Sequence, residues 1–162
     1  MNEEQNFMKK IFEGLNKPAS ILWNKKPNKW VGKFNIETIK YEIFIKNFSK
    51  KQRHFLFKFT ADNSFNLKND LKKAFTVIPT IDKAAENFIK ETMPEAFLFC
   101  ALDSSTSRKI FYDRFCNKIR RKYKYNYESK VSGDYEFYIL AQKNVDINDL
   151  NNTINKIIKT NK

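Results

Sequence analysis

The stretch from Pro94 to Lys122, PEAFLFCALDSSTSRKIFYDRFCNKIRRK, decides the fold. Ala96 to Leu102 is an unbroken apolar run with the length and composition of a fully buried strand. Asp103 to Ser107 supplies a turn and several side chains able to cap a helix. From Arg108 onward Phe111, Phe115 and Ile119 recur every four residues, with Ile110, Tyr112 and Cys116 beside them, so one helical face can pack back onto the strand.

Outward from this unit, the preceding segment Leu67 to Thr92 places Leu71, Phe75, Ile78, Ile81, Ala85, Phe88 and Ile89 three or four residues apart, the pattern of one long buried helical face. Pro79 removes a backbone donor within it and predicts a kink or a division into two helices. Before that helix, Trp30–Ile36, Ile39–Phe48 and His54–Ala61 alternate as strands, and the short polar links Glu37-Thr38 and 47–53 predict an antiparallel meander. On the C-terminal side Tyr123, Tyr125 and Tyr127 alternate with polar residues as a strand, and Ser132-Gly133-Asp134 is a turn. Tyr135–Gln142 returns with either Phe137, Ile139 and Ala141 or the alternate set facing the core. A terminal helix from Asp146 buries Ile147, Leu150, Ile154 and Ile157 or Ile158.

The N-terminal part reads as a helix over Asn2–Leu15 and a basic connector over Lys17–Lys29, anchored by Trp23 and Trp30. The expected organisation is therefore a helix and connector over 1–29, an α+β core over 30–145 and a C-terminal helix over 146–162. The fold class is α+β, a mixed α/β sandwich with a sheet of about six strands covered by helices.

The chain has 162 residues, 41% of them hydrophobic and sixteen of them Phe, enough for one domain with its own core. A net charge of +13 favours polyanionic partners such as nucleic acid, an anionic membrane or an acidic protein surface. Abundant Lys, Asn, Ile and Phe is also what an AT-rich genome encodes, so charge alone assigns no function. Cys100 and Cys116 fall at core positions, and with the single His54 at a strand end they form neither a disulfide framework nor a metal-ligand set. The acidic start Met1-Asn2-Glu3-Glu4 lacks the pattern of a signal peptide, and no apolar stretch approaches a membrane span. The expected setting is a reducing one.

The words FLFCALDSSTSRKIFYDRF resemble the C-terminal half of the acetyl-CoA-dependent N-acetyltransferase (GNAT) fold, whose helix carries the pattern N-x-x-A-x-x-L-Y-x-K-x-G-F. Ser105 stands at the pattern's Asn, Arg108 at its Ala, Phe111 at its Leu, Tyr112 at its Tyr and Arg114 at its Lys, while Cys116-Asn117 replaces Gly-Phe. The resemblance implies Tyr112 as general acid and acetyl-CoA held by the segment NSFNLKND, with Lys68, Asn69 and Lys72 near its phosphates. That segment, Asn63 to Asp70, contains no glycine, whereas the family's phosphate loop does. From Trp30 to Gln142 the chain also resembles small bacteriophage proteins of unknown function that look like reduced members of the same fold. This second resemblance implies a viral origin, a host-cytoplasmic or virion location, and a phage or host protein as partner.

A further candidate surface is the run from Lys118 to Tyr127, in which Lys118, Arg120, Arg121, Lys122 and Lys124 are interleaved with Tyr123, Tyr125 and Tyr127. Clustered cations among aromatic rings suit phosphate contacts with base stacking, and cations at a helix C-terminus are also favoured by helix polarity alone. Three expectations stand together: a non-catalytic protein that binds a macromolecular partner, an acetyl-CoA-dependent acyltransferase, and a basic nucleic-acid-binding protein.

Overall fold

The computed structural model describes residues 3, 5–6, 17–61, 71–102 and 106–160. It is an α+β sandwich built on one mixed sheet in the order β1-β2-β3-β4-β5-β7-β6. The strands are β1 Leu22–Lys26, β2 Lys29–Ile36, β3 Ile39–Asn47, β4 His54–Ala61, β5 Ala96–Leu102, β6 Asn126–Ser132 and β7 Tyr135–Ala141. Among the described residues the helices that accompany them are α1 Leu71–Thr92, α2 Thr106–Tyr123 and α3 Asn151–Thr160, the last preceded by a 3-10 turn at Ile147–Leu150. Every strand pair is antiparallel except β4 with β5, which needs a crossover and obtains it from α1.

The sheet has seven strands rather than about six, because part of the basic connector is itself a strand. Leu22–Lys26 pairs with Lys29–Lys33 through the two-residue turn Pro27-Asn28. This edge strand presents only Trp23 to the core cluster, so its sequence shows no alternation. The Trp23 ring occupies the space above Gly32, where a Cβ would come within 2.8 Å of it. Trp23 in turn meets Trp30 edge-on at 5.5 Å, so both tryptophans anchor this segment. The expected N-terminal helix over Asn2–Leu15 lies almost wholly outside the described residues.

Alternation along the strands separates two faces. Trp30, Phe34, Tyr41, Ile43, Ile45, Phe55, Phe57, Phe59, Phe97 and Phe99 form the first face, under α1 and α2. A continuous aromatic path crosses it: Phe88 of α1 meets Trp30, Phe55 and Phe97 within 4.9–5.4 Å, and Phe99 meets Phe97, Tyr112 and Phe115 within 4.6–5.3 Å. The second face is smaller and holds Leu56, Ala96, Leu98, Phe137, Ile139 and Ala141 beneath Leu150, Ile154 and Ile157. Both registers read for Tyr135–Gln142 are therefore used, since Tyr138 and Leu140 join the first face while Phe137, Ile139 and Ala141 join the second.

Pro79 lies inside α1, which is one helix from Leu71 to Thr92. The Thr80 hydroxyl donates to the Thr76 carbonyl at 2.6 Å and accepts from the Ala19 amide at 2.8 Å, tying the approach to β1 onto the helix. The expected strand at Tyr123 to Tyr127 begins later than the Tyr alternation suggests. Helix α2 runs to Tyr123, Lys124 takes a left-handed φ of 64°, and β6 starts at Asn126. The helix persists because its side chains are held by α1: Lys118 pairs with Asp82 and Glu86, and Lys122 and Tyr123 bind Glu86.

Candidate functional site

On the second face, coverage by α3 stops partway across. Along β4 the side chains of His54 and Leu56 are buried, whereas Lys58 is exposed and Thr60 half-buried. From there to β1 the outward positions form an open surface. Cross-strand pairing arranges it in rows: Lys26–Lys29–Lys46, then Asn24–Val31–Phe44–Lys58, then Leu22–Lys33–Glu42–Thr60. Lys26, Lys29, Lys33, Lys46 and Lys58 are exposed, and Val31 and Phe44 are half-buried between them. Glu42, the lone carboxylate in these three rows, lies 3.7 Å from Lys33.

The electrostatics of this face are unbalanced. Like charges directly across a strand pair are unfavourable, and here Lys26 opposes Lys29 while Lys29 opposes Lys46. Two of the ammonium groups lie over aromatic rings, Lys29 Nζ 6.0 Å from the Phe44 centroid and Lys46 Nζ 5.2 Å from that of Phe48. Such an array is suited to polyvalent phosphate or carboxylate contacts with an apolar strip at its centre.

The basic segment read from the sequence is placed differently. Lys118 contacts Asp82 at 2.5 Å and Glu86 at 3.2 Å, and Lys122 contacts Glu86 at 2.5 Å. Burial alone raises the Glu86 carboxyl, but hydrogen bonds from Lys122 and Lys118 outweigh it and hold the group at about 2. Tyr125 is 3% exposed and donates its hydroxyl to the Pro94 carbonyl at 2.7 Å, so its ring is packed rather than presented for stacking. Arg120, Arg121 and Lys124 are exposed. The six residues are thus divided between an interhelical ion network, the core and solvent.

The residues implied by the acetyltransferase resemblance fare as follows. Tyr112 is 1% exposed, stacked on Phe99 at 4.6 Å and close to Tyr138 at 5.7 Å. Burial pushes its hydroxyl up to about 12, partly offset by Arg108. That keeps the phenol protonated, as a general acid requires, but a general acid must also touch its substrate, and this ring serves as packing. Pairing of β4 with β5 ends at Phe57 and Phe99 although the strands run on to Ala61 and Leu102, and Arg108 lies 4.9 Å from the Phe59 ring there. Cys100 flanks the same place on the second face, where burial raises its thiol to about 12 and leaves it un-ionised at neutral pH. Lys68 and Asn69 lie outside the described residues, as does the side chain of Lys72, whose backbone belongs to α1. The Tyr112 ring is thus packed among Phe99, Phe111 and Tyr138, and the segment 63–70 that the resemblance assigns to the cofactor lies outside the described residues.

His54 begins β4, as expected, and its side chain is in the core at 1% exposure. Its Nδ1 is 2.9 Å from Thr153 Oγ1, its Nε2 has no hydrogen-bond partner among the described residues, and burial lowers its pKa against the opposing pull of Glu95 and Asp149. Among the described residues no group of three or more His, Cys, Asp or Glu side chains is placed to hold a metal ion, and no helix is long and apolar enough to cross a membrane. Compared with known proteins, the chain matches no family model, no curated protein and no solved structure.

The lysine rows are not apparent in the sequence because their members are spread over four strands. The signal was present in the positions complementary to the core set, where Lys40, Glu42, Phe44 and Lys46 alternate with Tyr41, Ile43 and Ile45. Which strands become neighbours, and how far α3 reaches across them, was not in the alternation.

Proposed function

We propose that this protein acts by binding a macromolecule of strongly negative surface charge, without catalysing a reaction on it, and that the open face of β1–β4 is the binding surface. The observation carrying this reading is the cross-strand row Lys26–Lys29–Lys46, three cations placed side by side. A solubilising surface intersperses both signs of charge, whereas an uncompensated row is relieved by an anionic partner. Packing of Tyr112 inside the aromatic core supports the non-catalytic part. In the bacteriophage setting that the sequence resemblance implies, such a partner would be nucleic acid or the acidic face of a virion or host protein.

The test is a binding panel of heparin, duplex DNA and a single-stranded oligonucleotide, read by fluorescence anisotropy. Charge reversal of Lys26, Lys29 and Lys46 to Glu lowers affinity for all three polyanions by about a hundredfold or more at low salt, because each lost phosphate contact also removes its counterion release. Unchanged binding by that variant contradicts the proposal. Acetyl-CoA in a thermal-shift titration produces no stabilisation. A shift of the size expected for saturating ligand, about 2.7 kcal/mol at a hundred times the dissociation constant, would restore the acyltransferase reading.

A further inference from the structure

We infer that the partner of the open face is a single-stranded nucleic acid whose bases stack on Phe44 while its phosphates follow the row Lys26–Lys29–Lys46. This rests on the reading of that face as a polyanion-binding surface and adds the class of partner.

Phe44 lies at the centre of the row Asn24–Val31–Phe44–Lys58, half-buried, with its neighbours Val31 and Lys58 directly across on either side. Lys46 is two residues further along the same strand and therefore on the same face, about 7 Å away along the strand. A base on the Phe44 ring and the phosphate of the same nucleotide on the lysine row fit that separation. Lys29 already places its Nζ 6.0 Å from the Phe44 centroid, so cation and ring act on one nucleotide. Lys58, at the far end of the Phe44 row, supplies a second cation for the next phosphate.

Other polyanions use this arrangement less well. A duplex keeps its base faces stacked inside and offers a nearly flat sheet only its phosphates, which leaves Phe44 and Val31 idle. A bilayer takes up fully exposed apolar side chains, whereas Val31 and Phe44 are half-buried among exposed lysines. An acidic protein face would meet the lysines but has no general use for an aromatic platform at their centre.

The experiment measures anisotropy of fluorescein-labelled oligothymidine and oligouridine of about 12 nucleotides, against a duplex of the same length, heparin, and phosphatidylserine-containing vesicles, at about 0.1 M salt and above. The single strands bind about tenfold tighter than the duplex. Phe44→Leu, which keeps an apolar side chain at the half-buried position, weakens single-strand binding by about tenfold without changing its salt slope, and Phe44→Trp retains or improves it. Duplex and heparin affinities are the same in both variants. If duplex, heparin or vesicles bind as tightly as the single strands, or Phe44→Leu leaves single-strand binding intact while reversal of Lys26, Lys29 and Lys46 abolishes it, the single-strand inference fails and the polyanion reading stands. If the lysine reversal also has no effect, both fail.

Discussion

Two basic regions of this molecule have opposite relations between sequence and surface. The end of α2 is a conspicuous run of cations in the sequence, and folding neutralises part of it: Lys118 and Lys122 are taken up by Asp82 and Glu86 of α1, and Tyr125 goes into the core. On the face of β1–β4 the cations come from separate strands, and folding brings them together by setting Lys26, Lys29 and Lys46 opposite each other on three strands. Charge density along a chain measures local composition. Charge density on a surface depends on which side chains the fold leaves without a counter-charge, and here the two quantities point to different places.

The largest way to disturb the comparison acts through Gly32. A methyl there meets the Trp23 ring at 2.8 Å and Ile21 Cγ2 at 2.9 Å, so Trp23 must leave its place over β2. Gly32→Ala costs about 1–3 kcal/mol and lowers the melting temperature by several degrees, with weaker polyanion binding because β1, carrying Lys26, loses its anchor. Differential scanning calorimetry and anisotropy on the same preparation check both halves.

A second change turns one region toward the behaviour of the other. The double variant Asp82→Asn with Glu86→Gln releases Lys118 and Lys122, and polyanion affinity at low salt rises by about three- to tenfold as the helix end becomes an additional cationic surface. The same network gives an acid signature. The folded Glu86 value of about 2 lies below its ordinary 4.5, so its contribution to stability is fully present above the ordinary value and is lost as pH falls through about 2. Glu86→Gln removes that part of the acid-unfolding slope in circular dichroism melts between those two values.

The smallest effects belong to the covered half of the second face. His54 is buried with a lowered pKa, chiefly from desolvation, so the unfolded chain takes up a proton below 6.5 while the folded chain resists it. Stability therefore falls as pH drops below 6.5 toward the folded value, and His54→Gln flattens this portion of the pH profile. Thr153→Val removes the partner of Nδ1 and costs about 1 kcal/mol. Neither change moves polyanion binding at neutral pH, because His54, beneath α3, and Thr153, on α3, are not members of the lysine rows.

The parts of the fold that could be read from the chain are those in which one segment carries its whole signal. Ala96–Leu102 and His54–Ala61 are strands over the residues expected, because apolar runs and clean alternation need no partner to be recognised. Leu22–Lys26 could not be read as a strand, since its reason to be one is the glycine ten positions later that makes room for Trp23. Tyr123 looked like the start of a strand by its alternation with Tyr125 and Tyr127, yet the carboxylate that keeps it helical belongs to α1, 37 residues earlier. The candidate surface followed the same rule. Phe44 and Lys46 are legible as outward positions of one strand, but their company with Lys26, Lys29 and Lys58 exists only through strand order and the limited reach of α3.

The most direct measurement compares salt slopes. Anisotropy titrations of one labelled single-stranded oligonucleotide across a series of salt concentrations are made with the native chain, with Lys26, Lys29 and Lys46 changed to Ala, and with Arg120, Arg121 and Lys124 changed to Ala. A sheet face that carries the phosphates loses about two units of logarithmic slope in the first variant, at about 0.7 per contact, and less than about half a unit in the second. The reverse ranking, with the helix-end variant losing the slope and the sheet-face variant keeping it, contradicts the assignment of the binding surface to β1–β4.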